Sequence, residues 1–115
     1  MEKYKKIVNM TYFTKGKKID INDSIDRIVY LEVDSPLNYG ARTWDYYGRI
    51  VKITNCYFWI IEYCDGFLNS WQKDQIQRAE NEHLAKKWHK KSIRKLYEVK
   101  TEEKNEEIEY EKSSY

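Results

Sequence analysis

Six cationic side chains between residues 86 and 95 are the groups of this 115-residue chain best suited to contact phosphate. They are Lys86, Lys87, Lys90, Lys91, Arg94 and Lys95. Their spacing predicts the basic face of an amphipathic helix over residues 80–99, because the apolar residues from Ala85 to Val99 collect on the opposite side. Lysine suits nonspecific phosphate contact better than base reading. We expect this face to contact nucleic acid or a nucleoprotein complex; the alternative is a solvated helix face.

Aromatic residues make up 16% of the chain and are candidates for a partner-binding surface. The candidates in or beside expected loops are Tyr39, Trp44, Tyr46, Tyr47 and Trp71. Trp59 and Tyr63 are expected to point inward instead. The alternative is that most of these rings build the core, since aromatics supply much of the buried area of a small domain.

Residue types that carry catalysis are sparse. His83 and His89 are the only histidines, and they would point about 240° apart on the expected helix, so they form no metal pair. Neither Cys56 nor Cys64 has an obvious base nearby to activate it as a nucleophile. No glycine-rich phosphate loop is present. We expect a non-enzymatic binding protein without a metal or a cofactor.

The end of the chain is acidic. Six glutamates follow the basic segment at Glu102, Glu103, Glu106, Glu107, Glu109 and Glu111. Their composition predicts a flexible tail over residues 100–115, which would shield the basic helix or occupy a basic groove on a partner. The alternative is a solubilising extension.

Two further features suggest where the chain works. Cys56 and Cys64 bracket one expected strand and would lie about 26 Å apart, too far for a disulfide, which favours a reducing compartment. The first residues lack an apolar signal core, and no run of about 20 apolar residues occurs. We expect a cytoplasmic or nuclear protein that does not bind membranes, of unknown oligomeric state.

Alternation of apolar and polar residues predicts several short strands before the helix. The expected strands are residues 7–13, 27–33, 47–54, 57–63 and 67–72. Residues 57–63 carry apolar side chains on both faces and should form a central strand. Asp65-Gly66 is a hairpin-turn signal, and Lys73–Ile76 suits a single 3₁₀ turn.

Residues 44–76 resemble the SH3-like barrels of the Tudor, Agenet and chromo-barrel group. The positions that carry the resemblance are Tyr46 or Tyr47, Gly48, Ile50, Tyr63, Asp65, Gly66 and Ile76. The resemblance implies a small barrel whose mouth holds a methylated side chain in a cage of aromatic rings, with Trp44, Tyr46, Tyr47, Tyr63 and Trp71 as candidates here.

The expected fold is mainly β: an SH3-like antiparallel barrel with an N-terminal hairpin over residues 1–79, a basic amphipathic helix over residues 80–99, and the acidic tail. The expected function is docking on a protein or nucleoprotein partner through the loop aromatics, with the lysine-rich helix on nucleic acid phosphate. Two alternatives remain. One is a small viral or mobile-element inhibitor of a host nucleic-acid enzyme that mimics phosphate with the acidic tail, and the other is a methyl-ligand reader.

Overall fold

The computed structural model describes residues 3–34, 43–82 and 84–111. It contains one antiparallel sheet of seven strands and one α-helix. The strands are β1 (Lys3–Lys18), β2 (Ile28–Asp34), β3 (Thr43–Ile53), β4 (Tyr57–Asp65), β5 (Ser70–Gln72), β6 (Ala85–His89) and β7 (Ile93–Glu111). The helix α1 spans Lys73–Asn81, and 3₁₀ turns span Ile21–Asp23 and Lys90–Ser92. The prediction of a mainly β fold is confirmed.

The strand order is β5-β1-β7-β2-β3-β4-β6. β4 lies between β3 and β6, as its apolar residues on both faces predict. The predicted barrel is wrong in one respect, because the sheet is open: its two outermost described strands, β5 and β6, are not paired with each other. The expected N-terminal hairpin is also wrong, since β1 pairs with β5 and β7 rather than with a neighbour in sequence.

Two hydrophobic cores lie on opposite faces of the sheet. The first core is built by Val29, Leu31, Val33, Tyr46, Ile50, Phe58, Ile60 and Leu96, and the turn residues Ile19 and Ile21 pack against it. The second core is an aromatic cluster of Phe13, Tyr30, Tyr47 and Trp71. Successive strand residues face opposite sides, so Tyr46 enters the first core and Tyr47 the second. The short link Lys90–Ser92 joins β6 to β7, so the sheet curls around the first core.

The predicted helix over residues 80–99 is wrong: this segment contains β6, a 3₁₀ turn and the start of β7, and the helix lies earlier in the chain. A β-bulge gives one apolar pair in this segment a helix-like spacing. Val33 pairs with Ile93 and Glu32 pairs with Lys95, so Arg94 is an extra residue in β7. The bulge directs Ile93 and Leu96, three residues apart, into the same core.

The predicted flexible tail is also wrong over its described part, because residues 100–111 are strand. β7 pairs with β1 from Lys18↔Tyr97 to Lys3↔Glu111. β2 covers β7 only over Ile93–Glu98, and β5 covers β1 only over Met10–Tyr12. Residues 3–9 and 105–111 therefore form a two-stranded arm beyond the sheet, which makes the molecule 55 Å long.

Two glycines in the segment that resembles SH3-like barrels occupy tight places. A Cβ atom on Gly48 would lie 2.3 Å from the carbonyl oxygen of Ile61, and one on Gly66 would lie 2.3 Å from Oδ2 of Asp45. The Asp65-Gly66 turn forms, with the Gly66 N–H donating to the carbonyl oxygen of Asp45. It does not make the expected hairpin, because the strand that follows it pairs with β1.

Candidate nucleic-acid interface

The six cations predicted to share a helix face are divided among three elements. Lys86 and Lys87 lie on β6, Lys90 and Lys91 on the 3₁₀ turn, and Arg94 and Lys95 on β7. Because strand residues alternate between faces, the two lysines of β6 point to opposite sides of the sheet. The structure therefore does not gather the six side chains into a single phosphate-binding surface.

Three of these six cations are paired with carboxylates. Nζ of Lys86 lies 2.7 Å from Oε2 of Glu62, and Nζ of Lys95 lies 3.8 Å from Oε2 of Glu32. Arg94 Nε donates to Asp34 Oδ1. A phosphate would have to compete with these internal carboxylates, so the paired cations are poorer candidates than the sequence suggests.

The aromatic residues predicted to bind a partner do not form an open cage. Tyr46 is 2% exposed in the first core, while Tyr47 and Trp71 are each 2% exposed in the second. Trp44 is exposed on β3, and Tyr39 lies outside the described residues. Tyr46, Tyr47 and Trp71 therefore fit the alternative stated above, in which these rings build the hydrophobic core.

The buried tyrosines are held in their neutral form. Burial raises the pKa of Tyr46, with the carboxylate of Glu62 adding to the effect. Burial also raises the pKa of Tyr30, and the hydrogen bond that its hydroxyl donates to Asp45 adds to this shift. These tyrosines are therefore uncharged at neutral pH, as buried phenol groups within the two cores.

Helix α1 is fixed on the second face of the sheet by a charged contact. Arg49 donates from Nε to Oε1 of Glu80 at 2.8 Å and from Nη2 to Oε2 at 2.5 Å, a two-point pair. The Tyr63 hydroxyl also donates to Glu80, and burial followed by this hydrogen bond raises the pKa of Tyr63. Ile76 of α1 packs against the aromatic core. The helix therefore occupies the half of this face that carries Tyr63.

The other half of that face carries alternating rings and cations, which we call the aromatic–lysine face. It consists of Lys52, Tyr57, Trp59, Lys87 and His89. The register places Lys52, Trp59 and Lys87 side by side across β3, β4 and β6, with Tyr57 opposite His89 in the neighbouring row.

The rings and cations of the aromatic–lysine face are in direct contact. Nζ of Lys52 lies 4.6 Å from the centre of the Trp59 ring, and Nζ of Lys87 lies 4.2 Å from the centre of the Tyr57 ring. The ring centres of Tyr57 and His89 are 5.0 Å apart in an edge contact. Tyr57 is 38% exposed, and both lysines are exposed. The face therefore presents aromatic rings with exposed lysine side chains beside them.

Sequence reasoning missed this face because it expected Trp59 to point inward. Trp59 lies between the buried residues Phe58 and Ile60, and strand alternation turns it to the opposite side, where it is partly exposed. The sequence offers no signal for this arrangement. Trp59 is apolar like its neighbours Phe58 and Ile60, so both faces of the strand look buried.

Comparison with known proteins gives no relative: no family model, no curated protein and no solved structure matches the chain. Within residues 3–34, 43–82 and 84–111, no three His, Cys, Asp or Glu side chains are grouped as a metal site. In the same part of the chain, no helix is long and apolar enough to cross a membrane. His83 lies outside the described residues.

Proposed function

We propose that this protein is a non-enzymatic binding protein for single-stranded nucleic acid, and that the aromatic–lysine face is its binding surface. The observation that carries the proposal is the row Lys52, Trp59 and Lys87 across three strands, with a cation on each side of an accessible ring. Sequence-tolerant binding of single strands has two components. Bases stack on aromatic rings, and cations beside the rings contact the phosphates.

The energetics favour this use of the face. Stacking of a base on an aromatic side chain contributes about 1–3 kcal/mol, and two rings, Tyr57 and Trp59, are available. The lysines are long and flexible, so each can leave its ring and follow the phosphate backbone when a base takes its place. Single strands are favoured over duplexes, because rings on the surface of a sheet cannot reach bases that are stacked within a helix.

The proposal includes a relation to SH3-like barrels and a nucleoprotein setting. Five neighbouring strands of the sheet, β7, β2, β3, β4 and β6, curl around the first core, and a 3₁₀ turn joins β6 to β7. This arrangement supports the resemblance carried by residues 44–76, with β5 and α1 inserted before β6. Cys56 and Cys64 are free thiols, which suits a cytoplasmic or nuclear location. The exposed Trp44 remains available for a protein partner.

The proposal is tested by fluorescence anisotropy with a labelled twelve-residue oligothymidylate at several salt concentrations. The charge-reversal pair Lys52→Glu with Lys87→Glu should weaken binding at least tenfold, since it removes two phosphate contacts and introduces repulsion. Trp59→Ala should also weaken binding about tenfold through lost stacking. Circular dichroism of each variant checks that the fold is kept.

Matched controls exist on the same chain. Lys3→Glu with Lys6→Glu makes the same change in net charge on the exposed arm, and Trp44→Ala removes an exposed tryptophan outside the aromatic–lysine face. Both controls should bind nearly as well as the unmodified protein. Equal losses in the controls and in the face variants would contradict the proposed surface.

One observation favours a second function, the mimicry of phosphate. Glu103, Glu107 and Glu109 are exposed and lie an even number of residues apart on one strand, so their carboxylates form a row on one face. Residues two apart on a strand are about 6.7 Å apart, which sets the spacing of this row. A mimic would release a labelled oligonucleotide from polylysine, and replacing these glutamates by glutamine would abolish the release.

A further inference from the structure

The cations without a carboxylate partner point to a second anionic-ligand site that the sequence did not indicate. An open groove of about 700 Å³ lies where β1 ends, next to the chain segment that leads to β2. Lys17, Lys18 and Arg27 line it, and all three are exposed. Within the described part of the chain, none of these three side chains belongs to an ion pair of 4.0 Å or less.

The wall of this groove is a turn that several hydrogen bonds stabilise. The backbone N–H of Asn22 donates to Oδ1 of Asp20, and the hydroxyl of the fully buried Ser24 donates to the carbonyl oxygen of Asp20. The N–H of Asp26 donates to the carbonyl oxygen of Ile50 on β3. These bonds attach the turn to the sheet, and Lys18 precedes the turn while Arg27 follows it, so the turn sets the backbone positions from which these two cations extend.

The charge balance of the groove favours an anion. Three cations and two carboxylates, Asp23 and Glu98, line the groove, so the excess charge is positive. Lys90 lies beside the groove, because its Nζ donates to Oδ1 of Asn22, a neutral group in the groove wall. A phosphodiester satisfies this arrangement, since it is a single negative charge with oxygens that accept hydrogen bonds.

Lys90 also connects the groove to the aromatic–lysine face. Its backbone N–H donates to the carbonyl oxygen of Cys56 at 2.8 Å, and its side chain reaches Asn22 at 2.7 Å. Cys56 directly precedes Tyr57, and Lys90 directly follows His89. The two surfaces are therefore separated by the length of one lysine side chain, with Lys90 contributing to both.

We propose that the groove lined by Lys17, Lys18 and Arg27 holds the phosphates of the same single strand whose bases stack on the aromatic–lysine face. This inference rests on the proposed function and extends it, because it assigns the ligand a path: from Tyr57, across Lys90, into the groove. The contacts in the groove are made to the backbone of the nucleic acid alone, so they add affinity without sequence preference.

The expected size of the effect follows from counterion release. For single strands, the logarithm of the binding constant changes by about 0.7 per phosphate contact for each tenfold change in salt, which amounts to about fourfold in affinity per contact near 0.15 M salt. Lys17→Ala with Lys18→Ala should therefore weaken binding of a long strand about 15-fold, and adding Arg27→Ala should weaken it about 50-fold. The salt slope should fall with each contact removed.

The test measures the affinity of the full chain for two oligothymidylates, of about four and about twelve nucleotides. Both lengths lie within the range of site sizes of small single-strand binding domains. The triple variant Lys17→Ala, Lys18→Ala and Arg27→Ala should lose affinity and salt slope for the long strand and leave the short strand unchanged, since a short strand occupies the aromatic–lysine face only. Lys3→Ala with Lys6→Ala, on the arm, serves as the control and should change neither value.

The outcomes separate this inference from the function on which it rests. If the unmodified protein binds neither oligonucleotide, both the proposed function and the groove are wrong. If it binds the long strand but the triple variant binds it equally well, with the same salt slope, the strand does not enter the groove and the inference alone is overturned. Equal losses for the short and the long strand also overturn it, because the groove would then not be an extension of the path.

Discussion

The curled part of the sheet and the arm are stabilised by different forces, although β7 runs through both. In the curled part, the first half of β7 contributes Leu96 to the apolar core and pairs with β2. In the arm, the second half of β7 pairs only with β1, and most of its side chains are exposed. Burial of apolar area stabilises the first region, whereas the second depends on main-chain pairing and cross-strand contacts.

The cross-strand contacts of the arm are individually weak. Tyr4 stacks on Tyr110 with ring centres 5.6 Å apart, and Nζ of Lys5 lies 3.8 Å from Oε1 of Glu107 on the surface. A two-stranded ribbon is only marginally stable by itself in water. The acidic second half of β7 therefore contributes to pairing with the lysine-bearing start of β1, in addition to any contact with a ligand.

The comparison is tested most strongly by removing one large apolar side chain from each region. Phe58→Ala in the first core should lower the free energy of unfolding by about 3–5 kcal/mol, because it leaves a cavity in a fully buried place. Ile7→Ala on the arm should change it by less than about 0.5 kcal/mol, since Ile7 is 74% exposed. Urea denaturation measures both, and similar losses would contradict the distinction between the regions.

A second test uses alkaline pH, which acts on the buried tyrosines of the curled part. The pKa values of Tyr30, Tyr46 and Tyr63 are raised in the folded state, mainly by burial. Their contribution to stability is complete below pH about 10 and is lost above it, because only the unfolded chain then releases these protons. Each tyrosine should cost about 1.4 kcal/mol at pH 11.

Thermal unfolding at pH 8, 9, 10 and 11 measures this effect, and Tyr46→Phe is its internal control. The variant should lose stability less steeply above pH 10, because one titrating group is absent. A constant unfolding temperature up to pH 11, or an identical slope in Tyr46→Phe, would show that burial does not hold these tyrosines neutral.

The smallest expected effect is a charge reversal on the arm. Lys5→Glu places a carboxylate directly opposite Glu109 and next to Glu107, and should destabilise the arm by about 0.5–1 kcal/mol. Hydrogen exchange of the amides in residues 105–111 should become faster, while exchange in β3 and β4 stays unchanged. The double variant Lys5→Glu with Glu109→Lys should restore the slower rate, and a failure to restore it would count against charge pairing in the arm.

Part of this fold could be predicted from local sequence, and part could not. The segment 57–63 is identified as a central strand because a short apolar run, with apolar side chains on both faces, is a local property of the sequence. The bulge at Arg94 is not local: it depends on how β7 meets β2, and it gives strand residues the spacing of a helix. Likewise, residues 100–111 look disordered until β1, nearly a hundred residues earlier, pairs with them.

The sequence indicates the type of contact at the candidate site better than it indicates which residues make that contact. Phosphate contact by lysines between residues 86 and 95 stays a prediction, and only Lys87 belongs to the aromatic–lysine face, with Lys90 at its border. The row that contains Lys52 and Trp59 cannot be recognised in the sequence, because its residues become neighbours only when β4 pairs with β3 and with β6. Register between strands is a tertiary property, and composition does not contain it.

The assignment of the aromatic–lysine face as the nucleic-acid interface is tested most directly by photo-crosslinking. The full chain is crosslinked to an oligothymidylate that contains 4-thiothymidine, and the modified peptides are identified by mass spectrometry. The proposed surface predicts that the main adducts form at the exposed Tyr57 and the partly exposed Trp59 of β4. Adducts at Trp44 or on the arm, with none at Tyr57 and Trp59 when the protein is saturated, would contradict the assignment of the aromatic–lysine face as the nucleic-acid interface.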